Sequence, residues 1–451
     1  MRADVVVIGA GFAGLSAAVQ LAAAGRRVAV VEEAPRLGGR ATAFTDRETG
    51  ERVDNGQHVL FGCYRETYAF LKQLGTDQLA PLQMSLSLAM ADTSGRMSRL
   101  ECPDWLRPPL HLVAGVLRWR ALPLADRLSA IRVGRPLMAA RRRGAAAVAA
   151  EVPHDVTVAE WLRRHRQSAA LCEWLWYPLA IAALNQSPDV AAAAPFVRIL
   201  AELFGPSPAD SAIGLPVAPL DELYAEPARR FIDAHGGAVM TKTSARIATE
   251  AGVIRGVRAG GEIIETSAVI STVPWFALAR LWDDGPPAAI APIVADASRH
   301  ASSPIVSVNL WFDGPVTDEP FVGLIGGPFH WLFDKGAILQ GRADRRGHIA
   351  VVASGAVELV DLENTEATNR AVEQLKLTFP GVVARKLERS VVVREHRATF
   401  SVAPGGPPRP PTATALAGFY LAGDWTDTGL PGTIEGAVVS GHRAARLILT
   451  R

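Results

Sequence analysis

Cysteine is scarce in this 451-residue sequence, which contains only Cys63, Cys102 and Cys172. The three lie far apart and form no CxxC pair, so the sequence indicates neither a disulfide framework nor a zinc knuckle. We therefore predict no metal site. Scarce, unpaired cysteine fits a reducing compartment, and the cytoplasm is the expected location.

A charge imbalance and a long apolar run are also missing. The 47 basic residues nearly balance the 45 acidic ones, giving a formal net charge of +2, which offers no argument for a nucleic-acid partner. No window of about 18 residues is uninterruptedly apolar, so no membrane-spanning helix is expected. The first residues lack a basic region followed by a cleavage site, so no signal peptide is expected.

Apolar residues are plentiful, at 49% of the chain. This length and composition predict two domains, or one domain with a large insertion. The first 31 residues predict a nucleotide-binding unit. A β-branched run at residues 3–8 leads into the sequence GAGFAG at residues 9–14, a helical pattern covers residues 15–24, and a second apolar run covers residues 27–31. Together they form one βαβ unit.

The glycines of this unit have separate tasks. Gly9 permits the tight turn, Gly11 lets the backbone approach a pyrophosphate, and Gly14 lets the helix pack on the strand. The helix N-terminus then offers unpaired N–H groups to the phosphates. Glu32 ends the second strand, where a carboxylate can accept both ribose hydroxyls and would repel the 2′-phosphate of NADP.

Later segments carry a family resemblance. Residues 37–40 (LGGR) resemble the Gly-Gly-Arg element that follows the second strand in flavoproteins of the amine oxidase and phytoene desaturase superfamily. Residues 420–424 (YLAGD) and 432–437 (GTIEGA) resemble its C-terminal flavin elements. The resemblance implies that Arg40 faces phosphate or flavin oxygens and that Asp424 meets the ribityl and pyrophosphate region. It also implies that the closing helix begins under the flavin ring.

The resemblance extends over the whole chain and implies FAD as the cofactor. The residues predicted to contact FAD are Gly9, Gly11, Phe12, Ala13, Gly14, Glu32, Gly39, Arg40, Ala41, Gly56, Gln57, His58, Ser244, Gly423, Asp424, Gly432, Thr433, Ile434 and Ala437.

The predicted fold class is α/β, with a Rossmann-like FAD-binding domain and a discontinuous substrate domain of helices and β-sheet. The predicted FAD-binding segments are 1–75, 226–280 and 413–451, and the predicted substrate segments are the mainly helical 76–225 and the β-sheet 281–412. Strands are predicted at residues 239–247, 253–257, 263–270, 305–312, 348–353, 389–394 and 418–421, and further helices at residues 64–74 and 436–450.

Three stretches narrow the resemblance. The sequence resembles the hydroxysqualene dehydroxylase group specifically in residues 54–64 (DNGQHVLFGCY), 329–335 (FHWLFDK) and 429–437 (GLPGTIEGA). That group removes an allylic hydroxyl reductively to form squalene. The resemblance thus implies a long isoprenoid substrate and upstream squalene-pathway synthases as partners.

Other members of the superfamily remain as alternatives. A carotenoid or phytoene desaturase would run the hydride transfer the other way, and a prenyl-binding escort protein of this fold would use no flavin. An amine or porphyrinogen oxidase fits less well. Thr433 stands where amine oxidases usually carry an aromatic residue, and residues 304–312 lack their lysine, with Ser307 near its place.

His58 is the predicted catalytic residue. An imidazole beside the flavin could protonate a leaving hydroxyl. In the alternative interpretation His58 only binds the cofactor or the backbone, and the proton comes from Asp54, Glu435 or an ordered water.

Residues 105–119 mix tryptophan, leucine and arginine. Such a segment could lie in a bilayer interface and admit a long isoprenoid, which predicts peripheral contact with the inner face of the membrane. The alternative is a core helix with two exposed arginines. Trp161, Trp174, Trp176 and Tyr177 suggest an aromatic wall of the substrate site, or further core.

Overall fold

The computed structural model describes residues 1–339 and 347–450. Residues 340–346 and 451, which fall within the predicted segments 281–412 and 413–451, lie outside the described residues.

The strands of the described residues are β1 (Val5–Ile8), β2 (Val28–Val31), β3 (Ala43–Thr45), β4 (Arg52–Asp54), β5 (Leu60–Phe61), β6 (Ser87–Asp92), β7 (Met97–Glu101), β8 (Ile213–Gly214), β9 (Ala238–Met240), β10 (Ala245–Glu250), β11 (Val253–Ala259), β12 (Glu262–Glu265), β13 (Val269–Ser271), β14 (Ser302–Phe312), β15 (Phe321–Ile325), β16 (Trp331–Asp334), β17 (His348–Ser354), β18 (Leu387–Phe400) and β19 (Phe419–Leu421).

The α-helices are α1 (Phe12–Ala23), α2 (Arg65–Leu74), α3 (Leu110–Arg118), α4 (Leu124–Ser129), α5 (Ile131–Arg143), α6 (Ala145–Ala150), α7 (Val158–Arg164), α8 (Ala169–Leu171), α9 (Tyr177–Leu184), α10 (Ala193–Leu203), α11 (Glu226–Ala234), α12 (Ala291–Arg299), α13 (Lys335–Ile338), α14 (Asn364–Thr378) and α15 (Ile434–Leu449). Short 3₁₀ segments cover Asp77–Leu79, Pro208–Ser211, Trp275–Leu281 and Pro380–Ala384, and π segments cover Cys172–Trp176 and Asp221–Ala225. None of these helices is long and apolar enough to cross a bilayer.

A five-stranded parallel sheet has the strand order β19-β13-β1-β2-β9. The glycine loop of residues 9–14, called the nucleotide loop below, follows β1. All four residues of β1 are buried, as expected for a β-branched strand covered on both faces. In this order only β13 separates β1 from β19, which lies near the end of the chain. The predicted α/β class is confirmed.

Helices α1 and α15 pack closely beside this sheet. A Cβ added to Gly441 would lie 2.2 Å from the Ala13 carbonyl oxygen, so only glycine permits this approach. Buried residues of both helices, including Leu15, Leu21 and Val438, share one core with residues of β1 and β2. The first and last segments of the chain are thereby held together.

A second, seven-stranded mixed sheet has the order β18-β14-β17-β16-β15-β6-β7. Strands β6 and β7 lie in residues 76–225, where the sequence predicted a mainly helical region. Residues 87–92 (SLAMAD) favour helix locally, and pairing of β6 with both β7 and β15 overrides that preference. Helices α5, α7, α9 and α10 share a core with Met90 and Leu100 of these two strands.

Two predicted strands each divide into two strands of different sheets. Residues 239–247 form β9 of the parallel sheet and β10 of a three-stranded antiparallel sheet. Lys242 separates them with a left-handed φ of 54°. Residues 263–270 divide likewise between β12 and β13. Each prediction joined two strands across a short polar stretch where the chain changes sheets, residues 241–244 (TKTS) in the first and residues 266–267 (TS) in the second.

Candidate active site

One cavity of about 1650 Å³ is lined by residues of both the parallel and the seven-stranded sheet. Every residue predicted to contact FAD lines it except Gly14. Its volume exceeds the roughly 300–1,000 Å³ of a typical single-ligand pocket. The cavity therefore has room for a dinucleotide and a second molecule.

The glycine loop fits a pyrophosphate. Gly11 begins α1, and a Cβ built on it would meet no protein atom closer than the Gly38 carbonyl oxygen at 3.9 Å. Packing of the protein therefore does not require glycine there, whereas approach of a ligand would. Gly14 differs, because its added Cβ would lie 2.0 Å from the Gly9 carbonyl oxygen. It serves helix packing, which explains why it does not line the cavity.

Glu32 joins the glycine loop to the second strand. Its Oε2 accepts a hydrogen bond from the Ala10 N–H at 2.7 Å and its Oε1 accepts one from the Ala34 N–H at 2.8 Å. Burial raises the pKa of Glu32 above its ordinary value, although both N–H groups oppose the shift. A carboxylate has about four acceptor positions, so capacity remains for ribose hydroxyls.

Arg40 and Asp424 connect the two termini inside the cavity. The Arg40 Nη2 lies 2.6 Å from Asp424 Oδ1, and its Nη1 donates to the Ala398 carbonyl at 2.6 Å. Asp424 is buried. A guanidinium has five N–H donors, so Arg40 still has donors for a ligand. The predicted contacts of both residues with FAD stay predictions.

Helix α15 points its N-terminus at the cavity. Thr433 caps it, accepting a hydrogen bond from the Gly436 N–H at 3.0 Å, and Gly432, Ile434 and Ala437 also line the cavity. The positive end of the helix dipole favours negative charge at this position. These residues fit the ring of a flavin that becomes negatively charged on reduction.

His58 lies in the loop after β4 and lines the cavity. Its Nδ1 is 3.0 Å from the Gly56 carbonyl oxygen, so Nδ1 carries the proton and Nε2 is the free ring nitrogen. Burial lowers the pKa of His58, and the positive charges of Arg40 and Lys335 act in the same direction, while Asp54 opposes them. The imidazole is therefore mainly neutral at pH 7.

The other predicted proton sources have structural partners. Asp54 pairs with the ammonium group of Lys335 at 2.8 Å and accepts from the Leu220 N–H at 3.1 Å. Glu435 accepts from the Thr67 N–H at 2.9 Å, at the start of α2. Neither carboxylate lines the cavity.

Beyond the predicted FAD contacts the cavity wall is mostly apolar, with a few charged residues such as Arg127 and Glu395 among its members. Leu88, Met90, Val113 and Val116 are among its residues. Of the predicted aromatic wall, Trp174 and Trp176 line the cavity, but Trp161 and Tyr177 do not. Trp161 belongs to the helical core instead.

A known protein family matches this chain over almost its full length. The family model described as flavin containing amine oxidoreductase matches residues 12–449. The chain belongs to the flavin-containing amine oxidoreductase family. It is an FAD-dependent oxidoreductase.

Three known proteins illustrate what this flavoprotein is similar to. A protein named hydroxysqualene dehydroxylase from Sinorhizobium fredii is 31% identical, over 100% of this chain and 99% of the relative. A 15-cis-phytoene desaturase from Narcissus pseudonarcissus is 26% identical, over 99% of this chain and 79% of the relative. The fold matches a crystal structure of an oxidoreductase from Methanosarcina mazei, with a TM-score of 0.73 at 18% identity, over 99% of this chain and 100% of that one.

The sequence analysis missed three residues that hold cavity-lining residues of this flavoprotein from behind. Tyr224 stacks on Phe12 with ring centroids 3.6 Å apart, and its hydroxyl donates to the Gly38 carbonyl at 2.7 Å. Arg409 donates to the Asp424 carbonyl at 2.9 Å. Lys335 lies in the stretch 329–335 but had no assigned role. No local pattern marks any of them, because their partners are distant in sequence.

Proposed function

We propose that this FAD-dependent oxidoreductase removes the allylic hydroxyl of hydroxysqualene reductively and forms squalene. The observation that carries the proposal is that the predicted FAD contacts, His58 and many apolar side chains line the same cavity. Two relatives named hydroxysqualene dehydroxylase, 31% and 30% identical over full length, support it.

The apolar wall suits a hydrocarbon chain. Its residues come from α3 and α5 and from β6, β15 and β16. A long isoprenoid lying along this wall would lose its contact with water, which favours binding by roughly 25 cal/mol per Å² of buried apolar surface. Asn55, Gln57 and His58 line the same cavity, and the Asn55 amide donates to the Arg40 carbonyl at 3.1 Å, beside the predicted FAD contacts. Apolar and polar lining residues together suit a substrate that has one hydroxyl and a long chain.

The reaction exchanges a hydroxyl for a hydrogen. When bound and reduced, FAD supplies the hydride. The hydroxyl leaves as water, so it must gain a proton, and the carbon that it leaves accepts the hydride. Hydroxysqualene, a hydride and a proton thus yield squalene and water.

Within this proposal His58 is the proton donor. Its Nδ1 is held by the Gly56 carbonyl, so its Nε2 is the atom available to the substrate hydroxyl. Because burial lowers the pKa of His58, the required imidazolium becomes more populated as the solution becomes more acidic.

A phytoene desaturase-like activity is the second candidate. The 26% identity with a phytoene desaturase favours it, and the same cavity would hold a polyene. An amine substrate has less support. Amine oxidases usually carry an aromatic residue where Thr433 caps α15, and a lysine near the position of the buried Ser307 on β14.

One experiment separates the two candidates. The photoreduced holoenzyme is mixed with hydroxysqualene under anaerobic conditions, and the oxidised holoenzyme is mixed with phytoene. Flavin reoxidation with formation of squalene is expected in the first mixture only. Desaturated product from phytoene, with no squalene from hydroxysqualene, would replace the first candidate by the second.

Contact with the membrane surface completes the proposal. Trp105 and Leu110 are 71% and 57% exposed, and Leu124, Leu128 and Ile131 are also exposed. Leu110 and Ile131 line the cavity as well, so they lie at its mouth. Exposed arginines of the same region (Arg107, Arg118, Arg120, Arg132, Arg135 and Arg142) suit an anionic lipid surface. The contact face is thus broader than residues 105–119, and within that segment Leu112 is buried.

A further inference from the structure

Lys335 is a buried cation at the back of the His58 loop. It begins α13 and is only 2% exposed. Its Nζ lies 2.8 Å from Asp54 Oδ2 and 2.5 Å from Gln57 Oε1. A charge removed from water destabilises a protein unless it is well paired, so this arrangement depends on both partners.

Lys335 does not itself line the cavity, whereas Asn55, Gly56, Gln57 and His58 do. It therefore acts through the loop. Asp54, at the end of β4, is also held by the Leu220 N–H, so the loop is fixed from two directions. Lys335 follows β16, which belongs to the seven-stranded sheet. The ion pair thus fastens a loop of the cofactor site to the sheet that carries the apolar wall.

The contact with Gln57 also determines which way its amide faces. Lys335 is a donor only, so it selects the amide oxygen. The amide nitrogen lies on the other side, 3.4 Å from the His58 carbonyl oxygen. One amide N–H is directed at that carbonyl, so Gln57, which lines the cavity, keeps its second N–H and not its oxygen for a ligand.

We propose that Lys335 is a positioning residue that holds Gln57 and His58 at the reacting end of the cavity from behind the loop. Through Asp54 it fixes the loop, and through the Gln57 oxygen it directs an N–H donor inward. This inference deepens the proposed function, but its structural part does not depend on the identity of the substrate.

The electrostatic consequence can be measured directly. The charged groups that act on His58 are Asp54, Arg40 and Lys335. Replacing Lys335 by methionine leaves the Asp54 carboxylate uncompensated, so His58 should become easier to protonate. Replacing Asp54 by asparagine leaves the cation, so His58 should become harder to protonate. The double variant removes both charges and should lie between the two.

The test uses holoenzyme labelled with ¹³C at Cε1 of histidine, with His58→Gln to assign the resonance. In Lys335→Met the His58 titration should move up by about one pH unit, the scale of a nearby charge. Asp54→Asn should lower the pH at which His58 titrates. The double variant Asp54→Asn/Lys335→Met should titrate between the two single variants, close to the wild type. Lys376→Met, which removes an exposed lysine of α14, is the matched control and should change nothing.

Single-turnover reoxidation by hydroxysqualene provides the second measurement. The double variant has no unpaired buried charge and should fold, yet it should react about 10–100-fold more slowly, because the Gln57 amide is no longer held. Lys335→Arg should recover part of the rate. An unchanged His58 titration in Lys335→Met, or a wild-type rate in the double variant, would overturn the proposal. Failure of the wild type to reduce hydroxysqualene would instead refute the proposed function and leave the titration result standing.

Discussion

Replacing Gly11 by valine should remove FAD while leaving the apoprotein folded. A Cβ on Gly11 meets no protein atom within 3.8 Å, and its φ of −85° and ψ of −172° suit a β-branched residue. We therefore expect the free energy of unfolding of the apoprotein to change by less than about 1 kcal/mol. The added side chain would instead occupy the space of the pyrophosphate. An overpacked contact costs about 3 kcal/mol, which is more than a hundredfold in FAD affinity.

Gly14→Ala is the informative comparison. Its Cβ would lie 2.0 Å from the Gly9 carbonyl oxygen and 2.9 Å from the Thr272 hydroxyl. Neither the loop backbone nor α1 can move without disturbing the parallel sheet. We expect this variant to destabilise the apoprotein itself by about 3 kcal/mol.

The assay needs two numbers for each variant. The ratio of flavin to protein absorbance gives FAD occupancy, and urea unfolding of flavin-free protein gives stability. Unfolding must be compared without FAD, because bound ligand stabilises the native state by mass action. Full FAD occupancy in Gly11→Val would refute the assignment of the loop. Equal destabilisation by both substitutions would show that Gly11 is needed for packing.

The remaining predictions concern Glu32, His58 and the mouth of the cavity. Because burial raises the pKa of Glu32, FAD affinity should fall at mildly acidic pH, as its carboxylate becomes protonated; Glu32→Gln should abolish this pH dependence in a fluorescence titration. His58→Ala should keep FAD but slow dehydroxylation by about 10²–10⁴-fold, and the wild-type rate should rise as pH falls toward the lowered pKa of His58. Loss of FAD in proportion to activity would make His58 structural. Replacing Leu110, Leu124 and Ile131 by serine should release the protein from anionic liposomes with an unchanged flavin spectrum.

The liposome experiment has an internal control. Val357, Leu377 and Val383 are 70%, 58% and 67% exposed and lie outside this region of the sequence. Serine at these three positions removes a comparable apolar surface and should leave liposome binding intact. Equal release by both triple variants, or release by neither, would argue against a defined contact face at the cavity mouth.

Sequence alone predicted the βαβ unit that carries the glycine loop, because the parts of this unit are local. The glycines at 9, 11 and 14 and the carboxylate of Glu32 lie within 24 positions, and one βαβ unit places them together. FAD as the cofactor followed from that unit and from the family resemblance. The predicted α/β class is confirmed for the same reason, since the strands of the parallel sheet are short apolar runs bounded by turns.

Tertiary structure alone decided how distant residues meet. Arg40 and Asp424 are 384 positions apart, and Lys335 is 281 positions from Asp54, so no pattern along the chain pairs them. Strand β6 has the composition of a helix and becomes a strand because it pairs with β7 on one side and with β15 on the other. The tautomer of His58 and the burial that lowers its pKa likewise come from its neighbours. Local sequence specifies backbone conformation through short-range sterics, whereas the environment of a buried charge depends on which segments pack against it.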